Sequence, residues 1–129
     1  MQATMERTFF ALGSLLALLA VAAGAFGAHA LSSRLSAERL DIFEVGARYH
    51  MYHALALLAV AWASTRWNTP LVGAAGWLFV VGVVVFSGSL YALALGAPRW
   101  FGAITPIGGV CFLAGWALLA WAAWSAAAR

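Results

Sequence analysis

Four long apolar runs, separated by short polar segments, set the pattern of the chain. They fall at about residues 8–31, 49–67, 70–95 and 106–127. A helix needs about 20 mostly apolar residues to cross the hydrocarbon core of a bilayer, and each run supplies that length. The pattern therefore predicts an all-α membrane protein: a four-transmembrane-helix bundle with short loops, forming a single domain over residues 1–129.

The one strongly charged stretch separates the first two runs. Ser36 is a predicted N-cap, and Glu38 follows in the first helical turn, where the helix dipole favours an acid. Leu40 and Phe43 are spaced so that they can rest on the bilayer surface while the charged side chains face water. We therefore expect an amphipathic interfacial segment over about residues 36–48.

Thr-Pro pairs predict the starts of the third and fourth helices. Thr69 and Thr105 are each followed by proline, and a hydroxyl cap with proline at the first helical position is typical of a helix N-terminus. Near the end of the third run, Ser87 and Ser89 can bond back to preceding carbonyls, which often bends a membrane helix.

Small residues recur along the first run at spacings of three and four, which places them on one helical face. In lipid, small side chains allow helix backbones to approach closely. This face predicts a packing seam, and it is also the surface through which a homo-oligomer would form. Its residues are Gly13, Ala17, Ala20, Gly24 and Gly27.

Composition supports the membrane assignment. The chain is 65% hydrophobic and 9% charged, against roughly 25% charged residues in soluble domains. Its seven basic residues are all arginines and lie scattered, so we expect no nucleic-acid partner. The lone Cys111 lies in an apolar run and is expected to be a buried structural thiol.

The first run also resembles a secretory signal, because Arg7 precedes it and Ala28-His29-Ala30 resembles a cleavage site. Its apolar stretch is longer than the roughly 7–15 residues of a signal core. We therefore expect the segment to be retained as a membrane span.

Four crossings would bring the polar helix ends together on one membrane face. That face receives the end of the first helix, the start of the second, the end of the third and the start of the fourth. Ionisable residues within membranes are uncommon and are candidates for function. The predicted ligand-binding residues are His29, Tyr49, His53, Ser87, Ser89, Tyr91 and Thr105, with Arg48, His50 and Arg99 at the rim.

The same face is predicted to attract anions. The second and fourth helices would point their N-termini at it, each carrying about half a positive charge. Arg48 and Arg99 lie nearby. The sequence therefore favours a protein that binds a membrane lipid or a small anionic ligand, or that serves as an accessory subunit, and it predicts no cofactor.

Several alternatives stay open. His29 and His53 could ligate haem or a metal, or contact a quinone, although no carboxylate or thiol completes a metal set. The same histidines could relay protons in a small oligomeric transporter or channel. The polar residues could also simply satisfy one another in lipid. No catalytic constellation is identifiable, and a Ser87–His53 hydrolase would lack an acid to orient the histidine.

Five motifs follow one another along the chain: Gly24-Ala-Phe-Gly-Ala-His29, Tyr49-x-x-x-His53-x-Leu-Ala, Phe86-Ser-Gly-Ser-Leu-Tyr91, Thr105-Pro-x-Gly-Gly109 and Phe112-Leu-Ala-Gly-Trp116. Together they resemble the YgdD-like family of small bacterial inner-membrane proteins of unknown function, which has relatives among animal small transmembrane proteins. The resemblance implies a four-helix protein of the bacterial inner membrane and assigns no activity. His50 and Arg48 lie outside the family pattern, so we rank them below His29 and His53.

Arginine counts on the two sides of the membrane are nearly equal. Because acids contribute little to the positive-inside rule, only the arginines are compared. Arg7 and Arg129 closely flank their spans, which favours cytoplasmic termini and a polar cluster facing the periplasm. The remaining arginines are Arg66 on the side of the termini and Arg34, Arg39, Arg48 and Arg99 on the other.

Overall fold

The structure is a computed structural model and describes residues 1–127. Four helices joined by short turns make up this part of the chain. The predictions that involve Arg129 lie outside these residues. The first and third helices each contain one π-helical turn, at Gly27–Leu31 and Val83–Ser87. The helices run over Gln2–Leu31, Ala37–Arg66, Pro70–Ala94 and Phe101–Ala127.

Three of the helices are long and apolar enough to cross a membrane: Gln2–Leu31, Pro70–Ala94 and Phe101–Ala126. The second helix differs because its first half carries charged residues, and tyrosines and histidines follow them. It nevertheless lies between two neighbours, with the first helix packed along one side and the third along the other. The fourth helix packs mainly on the third.

Neighbouring helices are antiparallel, as contacts at their glycines show. A Cβ on Gly13 would lie 3.0 Å from the Leu57 Cβ, and one on Gly27 would lie 2.9 Å from the Phe43 ring. Residue numbers therefore increase along the first helix in the direction in which they decrease along the second. The same ordering joins the second helix to the third and the third to the fourth, so the predicted polar ends do meet at one end of the bundle.

A separate interfacial segment over residues 36–48 is not observed, and that prediction is wrong. The second helix is continuous over Ala37–Arg66, with the Ser36 hydroxyl accepting a hydrogen bond from the Arg39 amide at 3.3 Å, as predicted. Phe43 is 4% exposed and packs in a small core with Leu31 and Ala94, instead of lying on the bilayer surface. Packing on both neighbouring helices holds this stretch in the bundle.

Only one of the two predicted Thr-Pro starts is confirmed. Thr69 caps the third helix by accepting from the Leu71 amide at 3.3 Å, with Pro70 at its first position. The fourth helix instead begins at Phe101, and Pro106 lies inside it. Backbone bonds from Phe101 and Gly102 to Pro98 and Arg99 already close helical turns before Thr105 is reached.

The small-residue seam packs inside the chain. Gly13, Ala20 and Gly27 are buried, and added side chains at the two glycines would meet the second helix. Gly24, in contrast, is exposed, with open space around its Cβ position. Most of the surface proposed for a homo-oligomer is therefore already covered by the second helix.

Candidate functional site

Hydrogen bonds between helices concentrate at the polar end of the bundle. Most of the residues predicted there from sequence take part in them, so these side chains link helices to one another. Such bonds hold helices together in lipid, where burial of apolar groups gives no driving force. They join His50 Nδ1 to the Tyr91 hydroxyl at 2.9 Å, Ser87 to the Gly46 carbonyl at 2.7 Å, Ser89 to Thr105 at 2.6 Å, and Trp116 Nε1 to His53 Nε2 at 3.1 Å.

Ser89 also bonds back to the Phe86 carbonyl at 2.9 Å, as the sequence predicts. Ser87 does not bond back and instead reaches across to the second helix. It is the last residue of the π-helical turn of the third helix, where one extra residue shifts the direction of the following side chains. The predicted disturbance of this helix is therefore present as a π-turn.

His53 is the centre of the cluster and is 4% exposed. Its ring stacks on Phe112 with centroids 3.5 Å apart and planes 7° apart, and it also contacts Phe79. Nδ1 lies 2.8 Å from the Tyr49 carbonyl, which can only accept, and Nε2 receives the Trp116 indole N–H, which can only donate. The two partners together require the neutral ring with its proton on Nδ1.

Both nitrogens of His53 are thus occupied. A metal or haem iron bound at Nε2 would have to displace the Trp116 indole. Within residues 1–127, no group of three or more histidine, cysteine, aspartate or glutamate side chains is arranged to hold a metal ion. The geometry favours a structural and positioning role for His53.

His50 lies deeper than the sequence indicated. It was expected at the rim, yet it is 6% exposed and bonded through Nδ1 to Tyr91. Its Nε2 is buried with no hydrogen-bond partner among the described residues. The Leu16 carbonyl is nearby on the first helix but does not complete a regular bond. An unpaired buried polar atom costs about 1–3 kcal/mol, so the burial of this nitrogen lowers the stability of the fold.

His29, in contrast, is exposed and does not join His53. Gly27 packs against Phe43, so His29 is level with the early part of the second helix. The ten residues from Phe43 to His53 rise about 15 Å along a helix. Arg48 and Arg99 are also exposed, as expected of rim residues.

The predicted pair of helix N-termini does not face the cluster as expected. The second helix begins at Ala37, twelve residues before Tyr49, which is about 18 Å along the axis. Its first turn is capped by Ser36. The fourth helix begins one turn before Thr105, at Phe101. The case for an anion therefore depends on the arginines and not on two converging dipoles.

An open groove of about 600 Å³ lies beside His53, between the second and fourth helices. Its floor is apolar and aromatic, and Tyr49 and Tyr52, which are 39% and 52% exposed, stand along it. Arg48 lies one helical turn from Tyr52 toward the start of the helix. The remaining lining residues are His53, Phe86, Pro106, Gly109, Val110, Phe112, Leu113 and Trp116.

Sequence reasoning identified only Tyr49 and His53 among the residues that line this groove, and it missed Tyr52, Phe112 and Trp116 in particular. The spacing of four between Phe112 and Trp116 does place them on one face of the fourth helix, and both belong to a motif noted above. Nothing local indicates that this face meets His53, which lies 63 positions from Trp116 in the sequence. Their partners follow only from the packing of the second, third and fourth helices.

The fold and its polar end define a small, all-helical integral membrane protein. The chain belongs to the family described as "Protein of unknown function (DUF423)", which matches residues 23–109. Its relatives carry the name UPF0382 membrane protein, which specifies no reaction.

Three bacterial relatives illustrate the similarity. The UPF0382 membrane protein of Staphylococcus saprophyticus is 51% identical over 115 residues, covering 88% of this chain and 93% of the relative. YwdK of Bacillus subtilis is 45% identical over 118 residues, covering 91% and 96%. The Haemophilus influenzae protein is 43% identical over 118 residues, covering 91% and 94%. No solved structure matches the chain. The finer resemblance to YgdD-like proteins stays a prediction.

Proposed function

We propose that this protein crosses the bacterial inner membrane four times, with cytoplasmic termini, and binds an anionic membrane lipid in the groove beside His53. The observation that carries the lipid proposal is the groove itself, which joins an apolar aromatic floor to two tyrosines. The exposed Arg48 lies outside the groove, one helical turn from Tyr52. The lipid proposal depends on the crossing of the second helix.

The second helix has the length and the surroundings of a membrane span. Its 30 residues extend about 45 Å, against about 30 Å for the hydrocarbon core. It lies antiparallel to two helices that are apolar enough to cross, and it packs along both. A helix enclosed in this way tolerates a polar residue such as His53, because both of its ring nitrogens have hydrogen-bond partners.

Single cysteines placed in two loops test the crossing. In a Cys111→Ser background, Ser33→Cys and Asn68→Cys precede and follow the second helix. We expect a membrane-impermeant maleimide applied to intact spheroplasts to label the Ser33→Cys variant and to spare the Asn68→Cys variant. Lysis should expose both. Labelling of both variants, or of neither, in intact spheroplasts would contradict four crossings.

The shape and chemistry of the groove fit a lipid acyl chain. Val110 and Leu113 are 63% and 73% exposed and form part of its wall, so the groove opens toward the lipid side of the bundle. Burial of each CH₂ group of a chain contributes about 0.8 kcal/mol when the group leaves water. Within a bilayer the gain is smaller, because competing lipids fill the same space, so specificity must come from the headgroup.

The polar rim supplies that specificity. Tyr49 and Tyr52 bring phenol groups to the groove. The exposed Arg48 precedes Tyr52 by one helical turn. Arginine pairs with phosphate through two parallel hydrogen bonds, which are about twice as strong as neutral ones. A lipid with a net negative phosphodiester headgroup would therefore place its chain along Phe86 and Phe112 and its phosphate near Arg48.

Filling the groove should remove the bound lipid. Gly109 lines the groove, and a Cβ there would meet only the Phe86 ring at 3.9 Å, an ordinary contact. We expect Gly109→Leu to lose most of the phospholipid that co-purifies with the wild-type protein, measured by native mass spectrometry from mild detergent. Gly24→Leu is the matched control, because the same change there meets open space away from the groove.

An organic extract of the same purified protein distinguishes a bound phospholipid from a bound isoprenoid quinone. Quinone is the second candidate because Tyr49, Phe86, Phe112 and Trp116 could stack against its ring. An organic extract whose ultraviolet spectrum changes on borohydride reduction would favour the quinone. Equal phospholipid retention by the Gly109→Leu and Gly24→Leu variants would contradict lipid binding at the groove.

A further inference from the structure

At the end of the bundle opposite His53, a smaller polar pocket of about 240 Å³ lies where the second helix ends and the third begins. The Arg66 side chain lines it, together with Asn68 and Thr69 of the connecting turn and Ser125 of the fourth helix. Among the residues that the structure describes, the lining therefore combines the Arg66 cation with several neutral polar groups. Ala122, Ala126 and Trp67 complete its wall.

An apolar trough of about 290 Å³ lies next to this pocket. It runs between the second and fourth helices, and Trp67 lines both the trough and the pocket. Four alanines leave room along its length, and Trp62 and Trp116 stand at its sides. The alanines are Ala59, Ala63, Ala120 and Ala123.

Arg66 is the cation at the mouth of the trough. It lies over the Trp62 ring, which lines the trough, with its guanidinium carbon 5.9 Å from the ring centre. Three of the four acidic residues, Glu38, Asp41 and Glu44, belong to the other end of the bundle, and the fourth, Glu6, lies at this end next to Arg7. The positive end of the third helix at Pro70 is balanced by the negative ends of the second and fourth helices, so the attraction for an anion comes from Arg66.

We infer that the Arg66 pocket and the alanine trough form a second lipid site, which takes one phospholipid with a negatively charged phosphodiester headgroup. The headgroup phosphate lies against Arg66 and accepts a hydrogen bond from the Thr69 hydroxyl, and one acyl chain lies in the trough. Ser125 donates its own proton to the Ala122 carbonyl at 3.3 Å. The polar pocket alone would suit a free anion, and the adjoining trough, which shares Trp67 with the pocket, selects a lipid. The trough also shares Trp116 with the His53 groove, so the two lipids would be neighbours with their headgroups at opposite ends of the bundle.

Binding of phosphatidylglycerol and phosphatidylcholine, each added to delipidated protein and measured by native mass spectrometry, tests the site. We expect Arg66→Gln to weaken binding of phosphatidylglycerol roughly tenfold, the effect of losing one charge-assisted contact, and to leave phosphatidylcholine unchanged. Arg7→Gln is the control, because Arg7 is exposed at the same end but does not line the pocket. An equal effect of both variants would overturn the site in favour of diffuse charge.

Filling the trough gives an independent measurement. Ala120 is exposed and lines the trough, whereas Ala117 is exposed on the same helix and does not. We expect Ala120→Leu to weaken both lipids and Ala117→Leu to weaken neither. Gly109→Leu should remove the lipid of the His53 groove and leave the lipid held at Arg66, so the number of lipids bound per protein distinguishes failure of the groove from failure of this site. Equal effects of the two alanine variants would overturn the trough.

Two further measurements distinguish the source of the phosphate and the role of the chain end. Inorganic phosphate at millimolar concentration should not displace phosphatidylglycerol, and full displacement would show a simple anion site instead. A chain ending at Ala127 should bind like the wild type. A tenfold loss in that shortened chain would assign the headgroup contact to the removed residues and overturn the role of Arg66.

Discussion

Gly108→Ala is expected to destabilise the protein by about 3 kcal/mol, since forced overpacking typically costs 1–3 kcal/mol and backbone contacts cannot give way. An added Cβ would meet the main-chain nitrogen of Phe86 and lie 2.8 Å from its Cα. Those atoms belong to the π-helical turn of the third helix, so the third and fourth helices would have to separate. The free energy of unfolding in mixed micelles with increasing dodecyl sulfate measures the loss.

The neighbouring glycine is the matched control. At Gly109 the added Cβ would lie 3.9 Å from the Phe86 ring, which is an ordinary contact. Alanine favours a helix over glycine by up to about 1 kcal/mol, so Gly109→Ala should be neutral or slightly stabilising. Equal stability of the Gly108→Ala and Gly109→Ala proteins would show that the third and fourth helices do not approach this closely.

His53→Ala is expected to cost about 3 kcal/mol, in the range of large-to-small changes at buried sites. The substitution removes a ring that stacks on Phe112 at 3.5 Å. It also leaves the Trp116 indole without its acceptor. The same unfolding titration measures this loss, and a blue shift of tryptophan emission should accompany the change around Trp116.

His29→Ala provides the comparison for His53, because it removes the same side chain from an exposed position of the first helix. Exposed substitutions usually change stability by no more than about 0.5 kcal/mol. If the two alanine variants were equally stable, the enclosed geometry of His53 would be wrong. A His53→Ala protein that keeps its lipid despite lower stability would assign the ring to scaffolding alone.

Features that depend on local sequence were predicted well. The helix starts at Ser36 and Thr69 follow from side chains that cap neighbouring amides, so the chain carries their full signal. The Thr105-Pro106 pair has the same local signal, yet the turn from Pro98 to Phe101 had already started the helix. A capping motif cannot indicate whether residues before it have already started the helix.

The meeting of the polar helix ends was also predictable, because the order of antiparallel helices determines which ends are neighbours. The depth at which each polar side chain is buried, and the residue with which it forms a hydrogen bond, were not predictable in this way. The sequence favoured His29 over His50 as a site residue, but only His50 is turned into the bundle. Burial of His50 depends on the rotation of the second helix about its axis, which is set by packing on the first and third helices.

The small-residue face of the first helix shows the same limit. Its spacing identified a packing surface, and Gly13 and Gly27 are in close contact with a neighbour as expected. Whether that neighbour is another helix of this chain or a second copy is a question of tertiary arrangement. The second helix occupies most of the face, which leaves Gly24 as its open position.

The uninterrupted length of the second helix has a mechanical consequence. Its 30 residues extend about 45 Å, which is longer than the hydrocarbon layer of about 30 Å, so on the proposed crossing its charged Ala37 end leans or extends into the water. No break lies between Ala37 and Tyr52. Because Phe43 packs against the first and third helices, a displacement of the Ala37 end would move the three helices together and not the second helix alone.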